Sequence, residues 1–488
     1  MSFRKLLYFP NLIFIGYLNP DLLSGQVVEG KKWSLQECIR YAVENNIGLK
    51  QASLNTDLRK LEFQQSTTAF LPSLNASGFG GLTFGQRLDP FNLRFVNQRT
   101  EMISLGLNGN LLLFSGLQNI NRLRQAKYAH LSAHAQEEQA RVDLTLNVAS
   151  LFLQVVFSRE RLQKALLQKE STEAQIERMK TLVESRARPI GDLLNLEAQL
   201  ASERSLVVQA ENTVRQAKIN LMQLLLLDEI DVMLPEVSFD KAGIEILSRP
   251  PEALYAEALS ISPGVQSSEF NYRSMKSQLS AAKGSFSPTI SFTASLGTGY
   301  SSLTQRITDT IISVTPVDPI RYYTYGGDSL DISIPPLIKF DFARKVTPLS
   351  TQFRQNFNNQ LGVVISLPLL NNFTNYANLR RARIGLQNAE LQLHQQKLQL
   401  KNTIFNSYND AQAAFASWEA AKIALKAARE ALEYAEVRLE TGLMPSAEYV
   451  QVRNRYLQSE TDEVVSRYEL VFRLFILNYL TGKNLILN

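Results

Sequence analysis

Arg122-Leu123-Arg124-Gln125-Ala126 and Asn378-Leu379-Arg380-Arg381-Ala382 are one motif written twice. Ala382 follows Ala126 by 256 residues (382 − 126), and Pro445 follows Pro189 by the same interval (445 − 189). Upstream, Phe70-Leu71-Pro72-Ser73-Leu74 matches Phe286-Ser287-Pro288-Thr289-Ile290 at an interval of 216 (288 − 72). The second copy therefore carries 40 extra residues (256 − 216). They fall in 297–359, a stretch rich in Ser, Thr, Pro, Tyr and Asp that reads as an enlarged surface loop. One duplicated unit implies a pseudo-twofold within the chain.

Working outward, both copies have the same order. A helix is expected over 34–69 and again over 251–285. A two-strand region follows, then a very long helix over 117–184 and 373–440. Breaks fall at 185–189 and 441–445, and returning helices run over 190–227 and 446–480. Gly442 suits a left-handed helix stop and Pro445 cannot continue a helix. Ser446 is positioned to cap the next one. Arg186 stands where Gly442 would, so the first turn must differ in detail. About 68 helical residues span roughly 100 Å, which requires a rod or tube wall rather than a globular core. Ala411, Ala413, Ala414, Ala416, Ala420, Ala424, Ala427 and Ala431 would let neighbouring helices approach closely.

The intervening segments alternate with period two. Thr289, Ser291, Thr293 and Ser295 interleave with Ile290, Phe292, Ala294 and Leu296. Gln360, Gly362 and Ser366 interleave with Leu361, Val363, Ile365 and Leu367. Ser104, Gly106, Asn108 and Asn110 interleave with Ile103, Leu105, Leu107, Leu111 and Leu113, and 74–84 alternates more weakly. Four strands of about 9–13 residues match the length needed to cross a bilayer as β-structure. The same alternation also fits a half-buried soluble sheet. Four strands cannot close a membrane barrel, and open edges are not tolerated in lipid. Chains must then share one: two copies would give eight strands, three would give twelve and room for a channel. The Ser, Thr, Asn and Gln face would line its wet interior.

Composition bounds the rest. The chain has 488 residues, 45% apolar and 20% charged, with a net charge of +5 that forms no basic block. That excludes disorder and makes nucleic acid a poor partner. Arg4 and Lys5 precede an interrupted apolar stretch, and Leu23-Ser24-Gly25 offers small residues for cleavage, so 1–25 resembles a signal peptide. No later segment reads as apolar enough to span a membrane as a helix. The division is 1–25 targeting segment, 26–227 first copy, 228–250 connecting segment, 251–481 second copy and 482–488 tail. Cys38 is the single cysteine, read as a half-buried helix residue. His130 and His134 share metal-ligand spacing without an intervening Glu or evident third ligand, and read as an exposed polar pair. No nucleophile elbow or phosphate loop is present, so neither catalysis nor a cofactor is expected.

These residues resemble the TolC family of outer membrane efflux proteins over about 33–482. The resemblance rests on Trp33-Ser34-Leu35-Gln36-Glu37, Phe70-Leu71-Pro72, Leu379-Arg380-Arg381-Ala382 and, most specifically, Arg438-Leu439-Glu440-Thr441-Gly442 followed by a helix bearing Glu448. It implies a mainly α fold with a membrane β part, a homotrimer in outer-membrane lipid, a shared twelve-stranded barrel and a long coiled-coil helical barrel in the periplasm. It also implies an equatorial belt formed by 228–249 and the tail. A periplasmic adaptor would contact tips at 185–192 and 441–448, coupling the duct to an inner-membrane pump of RND or ABC type. Some members place an acidic ring near the tip: Glu448 matches its first position and Gln451 its second, with Asp192 the repeat counterpart of Glu448. A charge at a helix N-terminus explains Glu448 equally well. Leu439 and Met444 occupy the positions of a Tyr–Arg lock found in some members, which therefore does not carry over. A purely structural periplasmic coiled coil is the rival reading. It accounts for the helices and leaves the strands unexplained. Drug efflux and protein secretion by a type I system remain equally open.

Overall fold

The computed structural model describes residues 32–88, 95–232, 244–441 and 443–483. The signal segment, Gly442, residues 233–243 of the connecting segment and the tail beyond 483 lie outside the described residues. The chain falls into two compact units: a helical one (up to 60, 128–273 and from 387) and one of 61–127 and 274–386 that holds the large sheet.

The elements in order are β1 (Lys32–Trp33), α1 (Leu35–Asn45), α2 (Ile47–Thr68), β2 (Ser73–Leu88), β3 (Phe95–Ser115), α3 (Gln118–Glu184), α4 (Ile190–Leu225) and β4 (Asp231–Val232). After a 3-10 turn at Ile246–Ser248 come α5 (Pro251–Ile261), α6 (Pro263–Gly284), β5 (Thr289–Ser301), β6 (Gln305–Thr315), β7 (Ile320–Tyr323) and β8 (Ser329–Ile332). Then follow β9 (Leu337–Val346), α7 (Leu349–Gln355), β10 (Asn358–Ser366), α8 (Thr374–Glu440) and α9 (Ser446–Leu480). The start of α8 lies 256 residues after that of α3 (374 − 118), and α9 the same interval after α4 (446 − 190). Upstream, α5, α6 and β5 each start 216 residues after α1, α2 and β2, as 251 − 35 shows for the first pair.

The correspondence reaches the cores of the helical unit. Cys38 and Leu254, Val148 and Ile404, Val155 and Ala411, and Leu221 and Leu477 are repeat counterparts, and all are fully buried. The first-copy cluster gathers Trp33, Phe152, Val156 and Leu225, and the second gathers Ile246, Leu470 and Leu474. Each such aliphatic or aromatic side chain contributes about 1.5–3 kcal/mol on burial. The Trp33-to-Glu37 motif has a local cause. Ser34 caps α1, its Oγ accepting from Glu37 N at 3.3 Å while Ser34 N donates to Glu37 Oε2 at 3.0 Å, a reciprocal capping box.

Several expectations need correction. The helix expected over 34–69 is two helices, because Asn46 takes an extended backbone and its Oδ1 accepts from Leu49 N at 3.1 Å, starting α2 anew. The helix expected over 251–285 breaks likewise at Ser262, which the ring of Pro263 pushes out of the helical region. Cys38 is wholly buried, not half-buried. One described helix, α3, is long and apolar enough to cross a membrane by length and composition. Its apolar stretch around Leu144–Val156 is spent on the first core instead. The extra 40 residues are not an irregular loop: β6 pairs with β9 and β7 with β8, and α7 packs against β5. The first two strands of the large sheet are also longer than expected, at 16 and 21 residues.

A feature invisible to the pattern reading joins each strand region to its long helix. Gly116-Leu117 and Asn372-Phe373 all have positive φ, the same left-handed pair in both copies. Leu117, Asn372 and Phe373 show that a side chain is tolerated in this conformation. Gly116 is required for space, since a Cβ there would lie 2.3 Å from the Gly284 carbonyl oxygen.

Candidate functional site

The sheet has order β10-β5-β3-β2 and is antiparallel throughout. Directly paired residues share a face. Ile365 pairs with Ile290, Val363 with Phe292 and Leu361 with Ala294; Phe292 in turn pairs with Leu111, and Leu296 with Leu107. Leu107 pairs with Ala76 and Ile103 with Gly80. The other face pairs Gln360 with Ser295, Ser295 with Asn108 and Asn108 with Asn75. Each strand therefore sends most of its apolar set to one face and most of its Ser, Thr, Asn and Gln to the other, with Phe79, Leu112 and Val364 among the apolar side chains on the polar face. The register slips between Leu112 and Phe114, so Phe114 faces Ile290 and the expected contributor Leu113 is the bulged residue. The apolar face is uncovered: Leu361 is 73% exposed and Ile365 68%. The outer strands β2 and β10 each have one unpaired edge.

At the two helix-turn-helix tips, proline is the N-cap in both copies. Pro189 and Pro445 have nearly equal extended backbones, and their carbonyls accept from Asp192 N at 3.2 Å and Glu448 N at 3.1 Å. Ser446 is thus the first helical residue, not the cap. Arg186 adopts the left-handed conformation without being glycine. Its amide donates to the Val183 carbonyl, and those of Ala187 and Arg188 to that of Leu182. Glu448 and Asp192 sit in the first turns of α9 and α4, where the helix dipole favours a negative charge. Glu448 Oε1 also lies 3.6 Å from Arg438 Nη1, and Arg438 Nη2 donates to the Leu443 carbonyl at 3.4 Å. Both side chains are about half exposed, so this pair is worth at most about 1 kcal/mol. Gln451 is exposed, Leu439 half-buried and Met444 buried, so the last two are packing residues here.

Sequence reasoning missed a polar cluster buried between α3, α4 and α9. Glu203 is 4% and Arg453 6% exposed. Glu203 Oε1 accepts from Gln168 Nε2 at 3.1 Å, Thr172 Oγ1 at 3.1 Å and Gln199 Nε2 at 2.9 Å. Glu203 Oε2 and Arg453 Nη1 have no hydrogen-bond partner. Burial pulls the Arg453 guanidinium below its usual value, opposed by Tyr449 and the Glu203 charge. One turn away, Tyr449 donates to Glu436 Oε1 at 3.5 Å, and burial followed by that carboxylate raises its phenol. The available signal was divergence between the copies: Ser459 is the counterpart of Glu203, and Glu197 of Arg453.

His134 is exposed, whereas His130 is half-buried with Nδ1 enclosed and unbonded, so the pair is not uniformly exposed. Among the described residues no group of His, Cys, Asp and Glu could hold a metal ion.

The family model described as "Outer membrane efflux protein" matches residues 38–225 and 254–482. The toluene efflux pump outer membrane protein TtgF of Pseudomonas putida is 28% identical over 283 residues, covering 55% of each chain. The cation efflux system protein CusC of Escherichia coli O157:H7 is 25% identical over 271 residues, covering 54% of this chain and 55% of the relative. The chain thus spans about half the length of the curated relatives it matches. The crystal structure of the outer membrane protein VceC from Vibrio cholerae superposes with a TM-score of 0.70 at 15% identity, covering 92% of this chain and 96% of that one.

Proposed function

The chain belongs to the outer membrane efflux protein family, and from that membership we propose that it is the outer-membrane channel of a tripartite export system. It is a duct and not an enzyme. Three copies lay their four-stranded sheets edge to edge as a twelve-stranded barrel, β2 of one pairing with β10 of the next. A periplasmic adaptor grips the helical tips and links them to an inner-membrane pump of RND or ABC type, which supplies the energy.

The observation that carries this reading is the sheet itself. It is apolar on one face, polar on the other and open at both edges. A soluble domain would cover the apolar face, and lipid would not tolerate the edges. The purely structural coiled-coil reading leaves both features without a purpose. Exposed alanines support the trimer. Ala411 and Ala414 are buried within the chain, whereas Ala413, Ala416, Ala420, Ala424, Ala427 and Ala431 line α8 at coiled-coil spacing and are exposed, ready for a neighbouring helix. The tip residues Asp192, Pro189, Gly442, Pro445 and Glu448 form the periplasmic gate in this reading. The polar face offers neutral hydroxyls and amides and no fixed charge pattern, so selection falls to the pump. Toluene and cations, named for the relatives, are both admissible cargo classes.

Extraction from outer membranes in detergent, followed by native mass measurement and planar-bilayer recording, tests the proposal. A trimer with steady conductance is expected. A water-soluble monomer without conductance overturns it. Deleting the gene and measuring susceptibility to a toxic-compound panel alongside the secretome identifies the cargo.

A further inference from the structure

The 40-residue insertion carries an uncovered apolar face of its own. In the β6–β9 ladder Val314 pairs with Ile338, Ile312 with Phe340 and Thr310 with Phe342. The opposite face pairs Ser313 with Lys339 and Ile311 with Asp341. In the β7–β8 ladder Ile320 pairs with Ile332 and Tyr322 with Leu330, while Arg321 pairs with Asp331 on the other side and binds it through two hydrogen bonds of 2.7 and 3.0 Å. Ile320 lies six residues beyond Val314, and Ile332 six before Ile338, so both ladders belong to one hairpin in one register. Pro316 and Pro319 on one strand and Pro335 and Pro336 on the other interrupt it. All these apolar side chains are exposed, from Ile332 at 45% to Tyr322 at 63%.

A hairpin of two strands with one bare apolar face is marginal in water by itself, yet this one is anchored firmly. Gln352 of α7, 1% exposed, donates from Nε2 to the Ser301 carbonyl at 3.0 Å and the Thr347 carbonyl at 2.8 Å, and its Oε1 accepts from Ser301 N at 3.0 Å. Asn356 Nδ2 adds a bond of 2.7 Å to the Gly299 carbonyl. The hairpin base is thus tied to the end of β5. By chain connectivity this is the end of the sheet away from the strand–helix junctions at Ser73, Ser115, Thr289 and Ser366.

We propose that the apolar face of the 305–346 hairpin docks against the same face of the other copies of this chain, forming a second intersubunit contact beyond the barrel. This rests on the trimer proposed above. Three observations favour a second copy over other occupants. Nine apolar side chains about half exposed offer on the order of 800 Å² per copy, the share each partner contributes to an interface of standard size. The segment 305–346 contains five basic and five acidic residues, so identical copies do not repel, and an anionic lipid surface finds no excess of positive charge. The four prolines remove ladder donors and block edge-to-edge addition, which leaves face-to-face packing.

The test uses full-length protein in outer membranes with single cysteines at Ile312→Cys, Phe340→Cys and, on the opposite face, Ser313→Cys; native Cys38 is buried and silent. Oxidation is expected to cross-link Ile312→Cys and Phe340→Cys between subunits and to leave Ser313→Cys uncross-linked. Membrane-impermeant maleimide is expected to label Ser313→Cys at least tenfold faster than the apolar-face variants. Equal labelling without cross-links in a protein that still runs as a trimer overturns this inference alone. Quenching of a probe at Ile312→Cys by nitroxide lipid assigns the face to the membrane and overturns it too. Protection in whole cells that vanishes in purified trimers, pointing to an external protein, does the same. A monomer in native electrophoresis sinks both this inference and the trimer beneath it.

Discussion

At single residues, the charges near the tip make two separable predictions. Arg438 lies beside Glu448 and offsets part of its field. In reconstituted pores Glu448→Gln is expected to lower cation preference, and Arg438→Gln to raise it, read as opposite shifts of reversal potential in a salt gradient. Unchanged reversal potentials for both would remove Glu448 from the conduction path. The Glu203–Arg453 cluster is structural. Glu203→Gln removes a charge that favours the buried Arg453 guanidinium and weakens three hydrogen bonds to Oε1, and is expected to destabilise the helical unit by about 1–3 kcal/mol. Adding Arg453→Met should recover most of that loss, so a thermal-melting double-mutant cycle will show strong coupling. Independent, additive effects would contradict the pairing. This cluster was illegible in the sequence because its members come from three helices, with 250 residues between Glu203 and Arg453 (453 − 203). The break at Pro445 was legible, whereas the cap was placed one residue late, on Ser446, because a proline carbonyl can accept the first-turn amide without a capping side chain.

At the scale of elements, helices were read nearly to the residue because Pro, Gly and abrupt polarity changes bound them. The exceptions are the breaks at Asn46 and Ser262, where a long apolar rhythm continues across a one-residue interruption. The four strands of the large sheet were found from alternation. The insertion was misjudged because its prolines and Ser/Thr content resemble a loop, although Ile312-Ser313-Val314 and Ile338-Lys339-Phe340-Asp341-Phe342 alternate as cleanly as β5 does. The alanine stripe of α8 carries the prediction at this scale. Ala420→Leu together with Ala427→Leu, both on the exposed side, should leave a single chain's helices intact by circular dichroism while lowering the trimer fraction on native gels. Ala411→Leu, inside the chain, should instead lower thermal stability by about 1–3 kcal/mol through overpacking. Equal effects from both sets would mean that the exposed stripe faces nothing.

At the scale of the whole molecule, the duplicated order followed from the repeated motifs, and the proposal that several chains share one barrel from counting strands. Which faces meet did not, because strand register depends on partners that a linear pattern does not name. The paired registers supply that, and they leave β2 and β10 as the outer strands of the sheet.

Those two bare strands also bear on inheritance. In the proposed trimer no single polypeptide holds an aperture open, so an unassembled one would leak nothing, and every finished conduit would sample three gene products at once. A proline placed mid-strand in β10, at Val363, removes a ladder donor and is expected to weaken the seam that the proposed trimer makes at that strand. Expressed beside the normal allele, such a variant should behave as dominant, with export falling by more than half although half of the polypeptides are sound.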